Sequence, residues 1–215
     1  MSSFIVFGAG RFGASVARSL SDLGAEVMII DKNEDLIQEI SNVVTSAVIA
    51  DVMDQAALDE LGVGNFDVCI VAIGDSLEAS IVTTMYAKEK GVEKIVAKAT
   101  SEMQGKLLHK LGADEIIYPE IDIGVRVAHR LFNRNIIDYI YYDSNYSIIE
   151  MKALDEWIDK SLIELDFRNK YKLSVIAVRR GEKFIVSPYA SFKFMSGDKV
   201  IVIGEEDNLE EINKE

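Results

Sequence analysis

Cysteine is nearly missing from this chain of 215 residues: Cys69 stands alone. One thiol builds neither a disulfide framework nor a cysteine metal cluster, which suits a reducing compartment. Positive charge is also short, with 23 Lys+Arg against 36 Asp+Glu and a formal charge of −13. The acid excess is no mere tail. Residues 1–135 hold 12 basic and 20 acidic residues, and residues 136–215 hold 11 and 16. No nucleic-acid partner is therefore expected, because neutralising phosphates takes concentrated Lys and Arg, and general attraction to anionic lipid is excluded on the same ground. Long apolar runs are lacking too. The longest uncharged stretch is Ile40 to Ala50, far short of the roughly 20 residues of a spanning helix. A strand starts at Phe4 with no basic segment before it, so no secretory signal and a cytoplasmic location are expected.

What is present is enough for a full-sized core. Hydrophobic residues make up 49%, and roughly 150 residues per domain gives one to two domains. The first half alternates short apolar runs with amphipathic stretches. Strands are expected at Phe4–Phe7, Val27–Ile30, Ala47–Ala50, Val68–Ile73, Ile95–Ala99 and Glu115–Tyr118. Helices are expected at Arg11–Leu23, Glu34–Ile40, Gln55–Leu61, Leu77–Lys90 and Met103–Leu111. In the first helix Phe12, Val16, Leu20 and Leu23 form one stripe. Val68–Ile73 is apolar throughout, as a parallel strand buried on both faces should be. The order implies a Rossmann-like, doubly wound parallel sheet with helices on both sides. A long helix, about Ile121 to Asn133, follows Pro119. Its wide apolar face needs a second domain or a second subunit to cover it. Beyond it the strands are short (Ser147–Met151, Ser174–Val178, Lys183–Val186, Lys199–Ile203), with turns at Arg180-Gly181-Glu182 and Ser196-Gly197-Asp198. They form a small α+β module. The expected division is 1–120, a linking helix over 121–136, and 137–215. The stretch near 134–145 is not rich in Gly or Pro and reads as a linker that is no flexible tether.

Gly8-Ala9-Gly10-Arg11-Phe12-Gly13 is G-x-G-x-x-G. The string gains force from its place: it follows a strand, opens a helix, and precedes a second strand ending in Asp31, 18 positions after Gly13. That is the βαβ setting of a dinucleotide site. Gly8 permits the turn, Gly10 the approach of a pyrophosphate, and Gly13 close helix packing, while the helix N-terminus offers free N–H groups. Asp31 is placed for a ribose diol and repels a 2′-phosphate. The alternative is a glycine-rich turn with no ligand. Ala72-Ile73-Gly74-Asp75 lies across the switch point, and Asp51 ends the third strand where an adenine would sit. Arg11 is open to three readings: a third phosphate, a neighbouring subunit, or solvent.

A reaction centre is missing. His109 and His129 lie in helical stretches, Cys69 reads as a core residue, and no P-loop, Ser-His-Asp order or metal-ligand spacing is present. A complete nucleotide site without a reaction centre favours a sensor over an enzyme. The alternative is a small NAD-dependent oxidoreductase, since Asp31 serves NAD as well as ATP. A redox-sensing repressor would need a basic helix-turn-helix that neither half supplies. One basic cluster breaks the acidic balance: Arg168, Lys170, Lys172, Arg179, Arg180 and Lys183, with Pro188 just beyond. It is either an anion pocket or a solvated hairpin face.

The stretches FGAGRFGASVA (7–17), VAIGDSLEAS (71–80), LGADEIIYPEIDIG (111–124) and SGDKVIVIG (196–204) resemble the regulatory subunits of bacterial potassium transporters of the KtrA/KtrC/TrkA type. Those proteins join an N-terminal and a C-terminal RCK (TrkA-C) domain, and the match is nearest to the KtrA/KtrC branch. The resemblance implies a homodimer assembled into an octameric ring beneath a membrane potassium channel or transporter of the KtrB/TrkH kind. ATP, ADP or NAD(H) in the Rossmann site would gate ion flux. It implies nucleotide contacts from Gly8, Gly10, Arg11, Phe12, Gly13, Asp31, Lys32, Asp51, Ala72, Ile73, Gly74, Lys98 and Glu120. Arg11 and Lys98 would reach the γ-phosphate, and Glu120 would face Mg²⁺ or Ca²⁺ between subunits. The helix after Pro119 would cross over to a neighbouring copy. In the C-terminal module, Leu162, Ile163, Arg168 and Pro188 would take cyclic di-AMP.

Overall fold

A computed structural model describes residues 2–132, 135–141 and 145–212. The chain divides into two units, Met1–Ile121 and Asp122–Glu215. The first alternates strand and helix: β1 (Ser3–Phe7), α1 (Arg11–Asp22), β2 (Glu26–Asp31), α2 (Glu34–Ile40), β3 (Ser46–Ile49), α3 (Gln55–Glu60), β4 (Val68–Val71), α4 (Leu77–Glu89), β5 (Lys94–Lys98), α5 (Glu102–Lys110) and β6 (Glu115–Ile117). The six strands pair in parallel in the order β3-β2-β1-β4-β5-β6. This is the doubly wound order, with its topological switch between β1 and β4.

Both faces of this sheet are covered, and strand alternation decides which residue serves which face. Ile5, Phe7, Ile30, Cys69, Val71, Ile95 and Ala97 enter one core; Val6, Val27, Ile29 and Ile70 enter the other. Burial on both sides is why these strands read as unbroken apolar runs. Cys69 is fully buried, and burial pushes its thiol pKa up, so it serves as a small core residue. Helix starts are encoded locally. Asn33, Asp54, Ser76 and Ser101 accept backbone N–H groups at the starts of α2, α3, α4 and α5, each contact worth about 1 kcal/mol. The first helix ends one residue earlier than its stripe suggests. Leu23 terminates it with its side chain 83% exposed.

Next comes α6 (Pro119–Phe132). It begins two residues before the expected Ile121, because proline is well suited to the first helical position. Asn133, its expected end, lies outside the described residues. None of its residues is buried, and Ile121, Ile123, Leu131 and Phe132 are exposed.

The second unit continues with β7 (Ile136–Tyr141), β8 (Tyr146–Lys152), α7 (Phe167–Tyr171), β9 (Ser174–Arg180), β10 (Lys183–Val186), β11 (Lys199–Glu205) and α8 (Glu206–Ile212). Its antiparallel sheet runs β10-β9-β11-β8-β7. Here the expected linker is corrected: residues 136–141 form an edge strand paired with β8, with a register shift between Ile136 and Asp138. Trp157, Phe167, Phe194, Leu173, Leu209 and Ile212 pack on the strands' inward residues Ile149, Met151, Val200 and Val202. The turn at 180–182 joins β9 to β10, with Gly181 at φ 58°. Arg180 holds the other turn: its guanidinium forms a bidentate pair with fully buried Asp198, at 2.7 Å on both oxygens.

A nucleotide-shaped cavity at the switch point

The ends of β1, β2 and β4 open onto a cavity of about 580 Å³. Gly8 leaves β1 at φ 101°, a conformation that glycine tolerates. A Cβ there would also lie 3.1 Å from the Ala72 carbonyl group, so the turn fits tightly against the end of β4. Gly13 does not line the cavity. Its missing Cβ lets α1 sit on the Gly8 carbonyl, which a side chain would strike. Gly10 has open space where a Cβ would be, so a ligand can approach the backbone there. Gly10 also starts α1, which has no side-chain cap and no acid in its first turn. The remaining helices α2 to α5 spend a side chain on their first N–H groups. Those of α1 stay available to an anion, favoured by the helix dipole.

At the opposite end Asp31 accepts from the Ala9 amide (2.7 Å) and the Asn33 amide (2.9 Å). Its carboxylate braces the glycine loop and keeps lone pairs for a ribose diol. Asp51 accepts from the Met53 amide at 2.9 Å, and Met53 brings an exposed apolar side chain to the same wall. Lys98 and Glu120 stand together at the far end, Nζ to Oε1 2.5 Å. The Lys98 ammonium beside it holds the Glu120 carboxyl below the usual carboxylate range.

Thus the fold gathers Gly8, Gly10, Arg11, Phe12, Asp31, Lys32, Asp51, Ala72, Ile73, Gly74, Lys98 and Glu120 around one cavity. Sequence reading missed Asn33, Leu36, Val52, Ser76 and Ala79, which also line it. Asn33 and Ser76 are cap-forming residue types just before expected helices, a signal that could have drawn notice; the walls supplied by Leu36, Val52 and Ala79 carry no local signal. The charged lining holds three cations, Arg11, Lys32 and Lys98, and four acids, Asp31, Asp51, Asp75 and Glu120.

The other expected features lie elsewhere. His109 Nδ1 contacts the Ala113 carbonyl at 2.9 Å, and His129 stacks on Tyr139 with ring centroids 4.1 Å apart. Three of the six members of the basic cluster are paired with acids. Lys170 pairs with Glu156, Arg179 with Glu150 and Arg180 with Asp198. The acids come from distant sequence, so local counting could not see them. Leu162 and Ile163 donate their amides to the Phe192 and Ala190 carbonyls, which brings them near Pro188. Ile163 is 68% exposed, and Arg168 is exposed on α7. Among the described residues, no group of three His, Cys, Asp or Glu could hold a metal, and no helix is long and apolar enough to cross a membrane.

Residues 4–119 match the TrkA-N domain family and residues 147–215 the TrkA-C domain family. The chain is 40% identical over 211 residues to Ktr system potassium uptake protein C of Bacillus subtilis, covering 98% of this chain and 96% of that protein. It is 35% identical to Ktr system potassium uptake protein A of the same organism, with 99% and 96% covered. Among solved structures, the GsuK RCK domain aligns with a TM-score of 0.66 at 18% identity, over 99% of this chain and 47% of that one. At that identity the likeness speaks for the fold.

Proposed function

From the membership of this chain in the family of TrkA-N and TrkA-C domain proteins, we propose that it is a regulatory subunit of a potassium transport system and senses adenine nucleotide. The observation that carries this reading is the cavity at the β1–β4 switch. It offers an uncapped helix N-terminus for phosphates and Asp31 for a ribose. Neither His109 nor His129 is among its lining residues. The protein is therefore read as a sensor and not as an oxidoreductase.

In this reading the ligand lies with its phosphates on Gly8 and Gly10, its ribose on Asp31 and its adenine against Asp51 and Met53. Arg11 and Lys98 serve a terminal phosphate of ATP, which ADP lacks and NAD replaces. Glu120 is a single carboxylate. It fits Mg²⁺ or Ca²⁺ only where phosphate oxygens and water complete the shell. The exposed apolar face of α6 supports a homodimer through this helix, with dimers assembling into a ring, octameric in the proposed form. The ring works in the cytoplasm against a membrane-embedded channel subunit of the KtrB/TrkH kind. In the C-terminal unit, Leu162, Ile163, Arg168 and Pro188 are the proposed contacts for cyclic di-AMP.

Equilibrium titration with ATP, ADP and NADH tests the core of this reading. At least one should bind well below millimolar. Binding weaker than that for all three, or steady NADH turnover with a carbonyl substrate, would discard it.

A further inference from the structure

Lys98 is the one buried lysine among the described residues, 9% exposed at the end of β5. Its ammonium lies close to Gly74, where a Cβ would stand 3.2 Å from Nζ. The cavity's enclosed cation therefore sits at the switch point, on the side where the phosphates of a ligand would end. That cation is already paired: Glu120 Oε1 stands 2.5 Å from it. The two partners are unequal in freedom. The Lys98 side chain is 11% exposed and held by its surroundings; that of Glu120 is 64% exposed and sits on the first turn of α6. Lys98 is enclosed, whereas Glu120 can swing into water, provided an incoming phosphate takes its place beside the buried ammonium.

We propose that Glu120 is an internal competitor for the nucleotide's terminal phosphate, which binds by displacing it from Lys98 and so frees the first turn of α6 from β5. The inference rests on reading the cavity as a nucleotide site and adds how that site is regulated. Two effects act in the same direction. Glu120 occupies the ammonium that a phosphate would use, and its own charge repels the incoming anion at short range. Ligands that stop short of this end do not meet the competitor. The pair thereby ties the number of phosphates to the position of α6, which contains the boundary between the two units.

The test is calorimetric titration of the full-length protein with AMP, ADP and ATP in a chelating buffer that removes divalent cations. Glu120→Gln should tighten ATP about tenfold, the scale of one charge-assisted contact, and leave AMP within about twofold by the same conversion. Measured against Lys98→Met alone, the gain in Lys98→Met/Glu120→Gln should be much smaller, because the competition needs the ammonium and only the repulsion remains. ATP affinity unchanged or weakened in Glu120→Gln, with AMP still bound, would overturn the competitor role and leave the nucleotide site standing. A tightening of undiminished size in the absence of Lys98 would overturn it as well. Failure of the wild-type protein to bind any of the three would instead remove the nucleotide reading itself, and this inference with it.

Discussion

Asp31 accepts from the Ala9 and Asn33 amides, so one carboxylate holds the glycine loop in place before any ligand arrives. Replacing it would therefore disturb the glycine loop as well as any ribose contact of the proposed ligand. Arg11 is a cleaner probe. It begins α1, is exposed, and lines the cavity. Arg11→Ala should weaken ATP by about ten- to hundredfold, the value of a charge-assisted contact, and ADP or NAD much less. Equal losses for all three in calorimetry would remove Arg11 from the terminal phosphate. At this scale the three motif glycines were legible from spacing, and each has a different physical reason in the structure. Gly8 needs its positive φ and Gly13 its contact with a carbonyl, while Gly10 has open space beside it, which the proposed ligand would use. The Lys98–Glu120 pair was not legible as a pair. Both residues were singled out, yet their mutual contact depends on where β5 and α6 meet.

Helix starts show how much an element can announce itself. Asn, Asp or Ser precedes α2, α3, α4 and α5 and caps each one. The strand β7 announced nothing: Ile136 to Tyr141 read as linker because its pairing with β8 is decided by tertiary contact. The turn before β11 depends on a long-range bond. Asp198 is fully buried, and its two oxygens meet Arg180 while one also accepts the Met195 amide. Arg180 also donates to the Lys193 carbonyl. Asp198→Ala leaves that guanidinium without its partner and should cost about 3 kcal/mol. The single tryptophan, Trp157, lies in the core of the same unit, so urea unfolding followed by its fluorescence reads this loss directly. A midpoint equal to wild type would show that the pair contributes nothing net.

Across the whole molecule the acid excess shapes the response to pH. Asp138 is held below its ordinary range chiefly by Arg126, Glu156 by Tyr171 and Lys170, and Asp59 by Lys90 and Tyr86. Each carboxyl binds its proton less tightly folded than unfolded. The stability it adds is complete above the unfolded value of roughly 4 and is lost as pH falls through the lower folded value. Urea midpoints should therefore hold from neutrality to about pH 5 and fall steeply below pH 4. In Asp138→Asn that acid-side fall should be shallower; an unchanged slope would show that the Arg126 pair is not part of it.

The sequence alone determined the alternation of strands and helices, the sheet's parallel character, the glycine loop and Asp31. All of these follow from periodicity and from residue types whose backbone or charge admits few alternatives. Its missing cysteines, basic surface and apolar runs narrowed the chemistry in the same way. Tertiary structure decided the rest. It turned an expected linker into β7 and paired Lys170, Arg179 and Arg180 of the basic cluster with Glu156, Glu150 and Asp198. It also paired Lys98 with Glu120 at the end of the cavity. The ion pairs join residues 14 or more positions apart, and β7 meets β8 at separations of 6 to 15. The chain's local pattern does not encode them, because they exist only once separate elements have packed.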